Sequence, residues 1–324
     1  YPSLGMDFVY DADGRYTLNG TPYNDLTSFL TATGGSFTRA SIGTYFDSTG
    51  TLQTAASGVP RFDYDPVTHA AKGILIEEAR TNLILRSSEM DNAVWAHGAS
   101  ITVTANTTDT TAPDGSNSAE KIAINSTAAV TFIQTGLTVT GTVATYSIFV
   151  KQGSSATTGN AFCLRNQTTA TNLLCGSLNY ATDVFTYTIG SSGVTVQDFP
   201  NGWKRLIMTA TSGISSGNQL IIYVGYTGSS CSPTNYLYAW GAQLEAGAFP
   251  TSYIPTTTAA VTRANETLSI PTSGWFSLPE STMYLQAEAF GLESSGRFGA
   301  GFGSSSSDYF AFPYVSTTGI PNSL

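Results

Sequence analysis

Few residues in this chain have both the type and the spacing that chemistry needs. Asp63 and Asp65 flank Tyr64 and would share one face of a strand, and a glycosidase sets its two carboxyl groups roughly 5 to 10 Å apart. Neighbouring Arg61 and the turn at Pro66 offer the same pair a plainer use as an ion-paired strand end. Glu77 and Glu78 would point to opposite sides of a strand, so they cannot act together without other residues. Gly213-Ile214-Ser215-Ser216-Gly217 matches the nucleophile-elbow pattern, but that elbow needs a later histidine, and the only two, His69 and His97, lie upstream. No catalytic residue is expected.

Metal chemistry is equally thin. Asp11-Ala12-Asp13-Gly14 places oxygen ligands at alternate positions before a turning glycine but lacks the later Glu of an EF-hand. A hairpin turn is the expectation there, calcium is an unsupported option, and no other cofactor is expected. The three cysteines, Cys163, Cys175 and Cys231, show no CxxC spacing, so neither a zinc site nor a disulfide-dense scaffold fits. Cys163 with Cys175 could bridge in an oxidising compartment, and buried free thiols fit as well.

Aromatic side chains are what the chain has in surplus, with 17 Tyr, 17 Phe and 4 Trp. The apolar face of a sugar ring lies well on such a surface. Trp203, after the turn Asn201-Gly202 and before Lys204-Arg205, is the best surface candidate, and Trp95, Tyr223 and Tyr226 complete the candidate glycan-binding set. Tyr236, Tyr238 and Trp240 share one strand face and are expected in a sandwich core.

The elements that must position these residues are strands. Of 324 residues only 11% are charged, against about 25% in an average soluble domain. The longest apolar runs, Gly73 to Ile76 and Leu220 to Val224, are far below the roughly 20 residues of a spanning helix, so no membrane insertion is expected. The net charge of −9 and scattered basic residues exclude a nucleic-acid footprint, and the aromatic content excludes disorder. Ser, Thr, Val, Ile and the aromatics with 32 Gly point to an all-β protein of tandem antiparallel β-sandwiches with very little helix.

The pattern divides the chain into three blocks. Residues 1–88 hold short alternating runs separated by Asp-Gly and Asn-Gly turns, with only a weak helical claim over Glu77 to Leu85. Residues 89–258 carry about nine short strands, the spacing of a jelly-roll sandwich. Residues 259–324 begin a further β domain after the linker Thr256 to Ala260. That last block is too short to close alone: either a continuation completes it, or the first and third blocks pair around the second as an insertion. Beginning at Tyr1 and ending inside what reads as an unfinished domain, the chain is expected to be part of a longer polypeptide.

Longer stretches carry a resemblance. Phe37-Thr38-Arg39-Ala40-Ser41, Thr44-Tyr45-Phe46-Asp47, Val59-Pro60-Arg61-Phe62-Asp63-Tyr64-Asp65-Pro66 and Gly73-Ile74-Leu75-Ile76-Glu77-Glu78-Ala79-Arg80-Thr81-Asn82-Leu83 resemble a segment that recurs in bacteriophage virion proteins. In those proteins it precedes a carbohydrate-binding-module-like sandwich, and the stretches Pro113-Asp114-Gly115, Phe149-Val150-Lys151, Asn201-Gly202-Trp203 and Trp240 to Gly247 are similar to that module. Pro250-Thr251-Ser252-Tyr253-Ile254-Pro255-Thr256 and Val261-Thr262-Arg263-Ala264 close it, and the segment from Leu268 onward resembles the start of a concanavalin/laminin-G-like domain.

The resemblance implies a tail, tail-fibre or decoration component on the exposed surface of a virion, and it brings no catalytic residues. Its partners would be other virion proteins and host cell-surface polysaccharide. Weak sites become useful in many copies, so a homo-oligomer is expected, with a trimer as the form of a fibre. The alternatives are a spacer without ligand and a polysaccharide depolymerase using Asp63, Asp65 or Glu77.

Overall fold

Runs in which β-branched and aromatic residues alternate with Ser, Thr and Gly fit pleated surfaces, and strands dominate the computed structural model. It describes residues 3–125, 132–154, 161–224, 235–276, 282 and 284, and the backbone of 297–305 and 308–314. The chain divides into two compact units, Phe37–Thr267 and Tyr1–Ser36 with Leu268–Leu324. In sequence, the larger unit lies between the two segments of the smaller one. The larger unit includes residues 37–88 and 259–267 together with the sandwich.

In the smaller unit, β1 (Leu4–Met6), β2 (Tyr16–Leu18) and β3 (Thr21–Tyr23) form an antiparallel sheet around β2. Asn19 and Gly20, with φ of 48° and 83°, make the tight turn between β2 and β3. One helix, α1 (Leu26–Thr33), comes next, where the sequence pattern showed none. Asp25 caps it by accepting from Ser28 N at 2.7 Å, and Gly34 closes it in the left-handed conformation. Asp11 accepts from Leu26 N at 2.8 Å, so the acidic loop anchors this helix. After β4 (Ser36–Thr38) the chain enters the larger unit and returns at β23 (Thr267–Ser269), with β24 (Arg297–Ser305) and β25 (Asp308–Tyr314) pairing antiparallel.

The larger unit opens with two hairpins, β5 (Gly43–Phe46) with β6 (Leu52–Ala55) and β7 (Phe62–Tyr64) with β8 (Ala71–Ile74). The passage with the weak helical claim is extended instead, its β9 (Arg80–Asn82) pairing with β22 (Val261–Arg263). Two six-stranded antiparallel sheets then face each other. The first runs β10 (Ala96–His97), β13 (Phe132–Thr138), β20 (Gln219–Tyr223), β15 (Ala161–Asn166), β16 (Thr171–Asn179), β17 (Val184–Ile189). The second runs β11 (Ile101–Thr104), β12 (Glu120–Ile124), β21 (Asn235–Ala246), β14 (Ala144–Gln152), β19 (Trp203–Ala210), β18 (Val194–Asp198). Ile122, Phe132, Ile148, Phe162, Leu206, Leu220, Ile222 and Leu237 fill the space between them, each such side chain contributing roughly 1.5–3 kcal/mol on burial.

A bulge in the longest strand creates a second core. Between β14 and β21 the register steps from Ser147 opposite Gln243 to Phe149 opposite Trp240, so β21 carries one extra residue. Gly241 supplies it with φ of 60°. Leu237 and Ala239 face the inter-sheet core before the bulge, and Ala242 and Leu244 after it. Tyr238 and Trp240, alternating with Leu237 and Ala239, lie on the outer face, in a cluster with Leu52, Ala112, Ala119, Phe149, Trp203 and Tyr253. The shared face of Tyr236, Tyr238 and Trp240 is therefore not the space between the sheets but a second packed layer.

The polar end of that face is sealed by buried charge. Arg39, Arg61 and Arg263 are among the largest fully buried side chains. Glu266 receives Arg39 Nη1 at 2.7 Å, Arg61 Nε at 2.8 Å and Nη2 at 2.5 Å, and Glu77 N at 2.9 Å. Arg61 Nη2 also reaches Glu77 at 2.8 Å, while Nη1 donates to Thr44 O and to Ser252 Oγ. Burial pushes the Glu77 carboxyl up, but Arg263, Arg61 and two bonds from Ser252 outweigh it and hold it below the ordinary carboxylate value. Desolvating each charge costs several kcal/mol, offset only because nearly every lone pair and proton finds a partner.

These contacts fix two stability outcomes. Glu266→Gln leaves Arg39 and Arg61 without their shared counter-charge, and we expect the free energy of unfolding in urea to fall by about 3–5 kcal/mol. Glu120 is placed differently: it is buried at the end of the inter-sheet core with Oε2 unpartnered, and burial, with Asp91 and Glu89 adding, pushes its carboxyl up to about 7. An acid raised in the folded state binds protons better there than in the unfolded chain, so its stabilising protonation is complete below the unfolded value and is lost as pH rises through about 7. Stability should decline between about pH 5 and pH 8, and Glu120→Gln should remove on the order of 2 kcal/mol of that decline.

Candidate functional site

The structure separates the four aromatic residues expected to meet a sugar. Trp203 is only 1% exposed, at the start of β19 on the outer face, and its Nε1 donates to Thr111 O at 2.8 Å. The expected surface role is corrected: the 111–115 loop covers its ring. Trp95 is corrected in the same way, since it packs 5.5 Å from Phe132 in the inter-sheet core and donates to Arg86 O at 3.0 Å. Tyr223 is half-buried on the opposite sheet, in register between Ile133 and Cys163. Tyr226 lies outside the described residues, as does Cys231. Cys163 and Cys175 face each other across β15 and β16 and are disulfide-bonded.

The candidate carboxylates all hold structure. Asp63 accepts from Phe46 N at 2.8 Å, and Asp65 accepts from Val67 N at 3.0 Å and Thr68 N at 2.8 Å as a turn cap. Glu77 belongs to the buried ion cluster and Glu78 pairs with Arg80. The Gly213–Gly217 stretch leads into β20 and not into a helix, so it is no nucleophile elbow. Among the described residues, no group of three or more His, Cys, Asp or Glu could hold a metal ion, and no helix is long and apolar enough to cross a membrane.

Three loops that the sequence reading did not bring together form a cleft. The first is built on Asp47, whose Oδ1 accepts from Thr49 N at 2.8 Å, Thr49 Oγ1 at 2.6 Å and Thr51 N at 3.1 Å, while Oδ2 accepts from Gln53 Nε2 at 2.7 Å. Burial pushes this carboxyl up, and those bonds pull it below its ordinary value, so the loop is held around an anion. Gly50, with φ of 77°, has room for nothing larger: a Cβ there would lie 2.3 Å from Pro66 O. The second loop turns at Asp114, which accepts from Ser116 N at 3.0 Å, and is tied to the first by Leu52 N donating to Pro113 O at 3.0 Å. The third turns through Asn201 and Gly202, both left-handed at φ of 59° and 76°.

Between them lies a cavity of about 90 Å³ lined by Phe46, Thr49, Gly50, Thr51, Thr111, Ala112, Pro113, Gly115, Phe199, Pro200, Asn201 and Trp203. Phe199 packs 5.2 Å from Phe46 and 5.0 Å from Phe149, so the partly exposed rim rings rest on the second core and are rigid. Thr49, Thr111 and Asn201 are exposed and ring these faces with hydroxyls and an amide. The arrangement can stack an apolar face and hydrogen-bond at its edge, and it contains no acid–base pair.

Sequence reasoning missed Phe46, Phe199 and Asn201 as site residues. Their signal was present in Asn201-Gly202, which marks the turn. The alternation along the chain could not tell which neighbouring aromatic, Phe199 or Trp203, stays near the surface.

No family model and no curated protein matches the sequence. Among solved structures, the chain is similar to the CBM22-1 xylan-binding domain of Xyn10C from Paenibacillus barcinonensis, at 13% identity over 52% of this chain and 97% of that one, TM-score 0.32. It is similar to the CBM22-1–GH10 modules of Clostridium thermocellum xylanase 10B, at 14% identity over 51% of this chain and 27% of that one, TM-score 0.28. The enzymatically active domain of bacteriophage CBA120 tailspike protein 4 is a further match, at 14% identity over 50% of this chain and 21% of that one, TM-score 0.31.

Placement of the two rings has a direct consequence. Trp203→Ala opens a cavity in the second core and should lower the free energy of unfolding by about 3–5 kcal/mol, whereas Phe199→Ala at the rim should cost clearly less, as chemical denaturation of both variants would show.

Proposed function

We propose that this chain is a surface component of a bacteriophage particle that binds host glycans through the cleft between Phe46, Phe199 and Asn201, and that it acts as an adhesive module and not as an enzyme. The observation that carries the reading is a rigid aromatic rim with polar edges, at the outer layer of an antiparallel sandwich. Resemblance of residues 37–265 to virion proteins supports the setting. The commitment of Asp63, Asp65 and Glu77 to structural bonds supports binding without cleavage. A shallow site of this size binds weakly, and several copies on one particle would raise the avidity by about 10²- to 10⁴-fold.

Incubating the protein with host envelope polysaccharide tests this, with both retention on the glycan and release of reducing ends measured. We expect retention without release, weakened about tenfold in Phe199→Ala. Released reducing ends would make the chain a depolymerase, and absence of both retention and release would make it a spacer.

A further inference from the structure

Resting on that reading, we infer that the cleft takes an uncharged glycan, admitted by a chain end or a small pendant group, and that it rejects anionic polysaccharides. None of the residues lining the cavity carries a charge. The basic side chains near the loops stand outside that lining. Lys204, next to Trp203, pairs with Asp183 and with Asp198, the latter at 2.7 Å. Lys151, whose stem approaches Gly202, has the neutral Thr110 Oγ1 at 2.8 Å as its acceptor and is not among the lining residues, and the His69 ring, whose Nε2 lies beside Gly50, is likewise outside the lining. Arg61 is closed inside the ion cluster, and Arg205 is buried against Ser147 Oγ and Thr251 O.

A carboxylate or phosphate entering the cleft would lose its hydration without meeting a counter-charge among the lining residues, which is strongly unfavourable. The Asp47 carboxylate sits beneath Thr49 and Thr51, and the chain as a whole carries −9. Both fields repel an anion before contact. A neutral sugar meets none of these costs, since its hydroxyls find Thr49, Thr111 and the Asn201 amide at the rim. Size sets the mode of entry. About 90 Å³ is well below the roughly 300 Å³ of a pocket that encloses a drug-sized ligand, so a ring rests on Phe199 and Phe46 while one substituent reaches inward.

The test is calorimetric titration of the 324-residue chain with two panels of oligosaccharides. The neutral panel holds gluco-, galacto-, manno-, xylo- and N-acetylglucosamine oligomers; the anionic panel holds oligogalacturonate, oligosialate and phosphorylated mannan. Each is measured at about 20 and about 300 mM NaCl. We expect a neutral ligand whose Kd changes less than about twofold with salt, and anionic ligands weaker by about tenfold or more. Asn201→Gly keeps the left-handed backbone while removing the amide, and should weaken the neutral ligand by about tenfold with an unchanged thermal melt. Preferential binding of an anionic oligomer, falling with salt, would overturn the inference while leaving glycan binding standing. Equal affinity of Asn201→Gly would also overturn it, by placing the ligand elsewhere. Binding of neither panel would overturn both.

Discussion

Four buried charges, Arg39, Arg61, Arg263 and Glu266, with the part-buried Glu77 between them, govern how this chain must close. A guanidinium withdrawn from water is tolerable only beside a carboxylate with good hydrogen bonds. Here the partners lie about 200 residues apart in sequence, with Glu266 answering both Arg39 and Arg61. The N-terminal hairpins and the segment after the sandwich are thereby bound to each other. In a chain with so few charges, several of the arginines and glutamates are used at depth.

That constraint and the bulge at Gly241 act on the same sheet. The extra residue brings Gln243 and Glu245 to the same outward face as Tyr238 and Trp240, and an outward apolar face needs a cover. The hairpin around Leu52, the 111–119 loop and the 250–256 segment supply it. At one end of the covered face are aromatic rings; at the other are Glu245, Gln243 and Arg205, whose bonds run to Thr251, Ser252 and Ser147. The cleft is the seam where the covering loops stop. Its rigidity comes from the Asp47 and Asp114 turns and its aromatic rim from the edge of the second core.

Much of the fold was legible in the residue pattern. Period-two alternation marks the strands of both sheets, and Asn-Gly turns mark Asn19 and Asn201. Alternation reports that a residue faces a covered side, but it cannot say which side when both are covered. Trp203 and Trp240 therefore read as surface and inter-sheet core, respectively, and are neither. Helix α1 is too short for a period of 3.6 to show, and only Asp25 and Gly34 announce it. Glu266 gave no signal, because its partners are distant in sequence and an isolated Glu reads as solvated surface. The stretches around Arg39, Arg61, Glu77, Ser252 and Arg263 come together in the ion cluster.

Residues 37–267 should behave as one cooperative unit held by the buried charge cluster, and everything argued for the cleft rests on that unity. Native-state hydrogen exchange in rising denaturant tests it most directly, on the amides of Leu75, Leu83 and Glu266 together with those of β14 and β21. These three amides donate to Arg61 O, Leu244 O and Glu77 O. All of them are expected to open with one free energy and one denaturant dependence, that of global unfolding. Exchange of Leu75 and Glu266 through a smaller opening, while β14 and β21 stay protected, would contradict it.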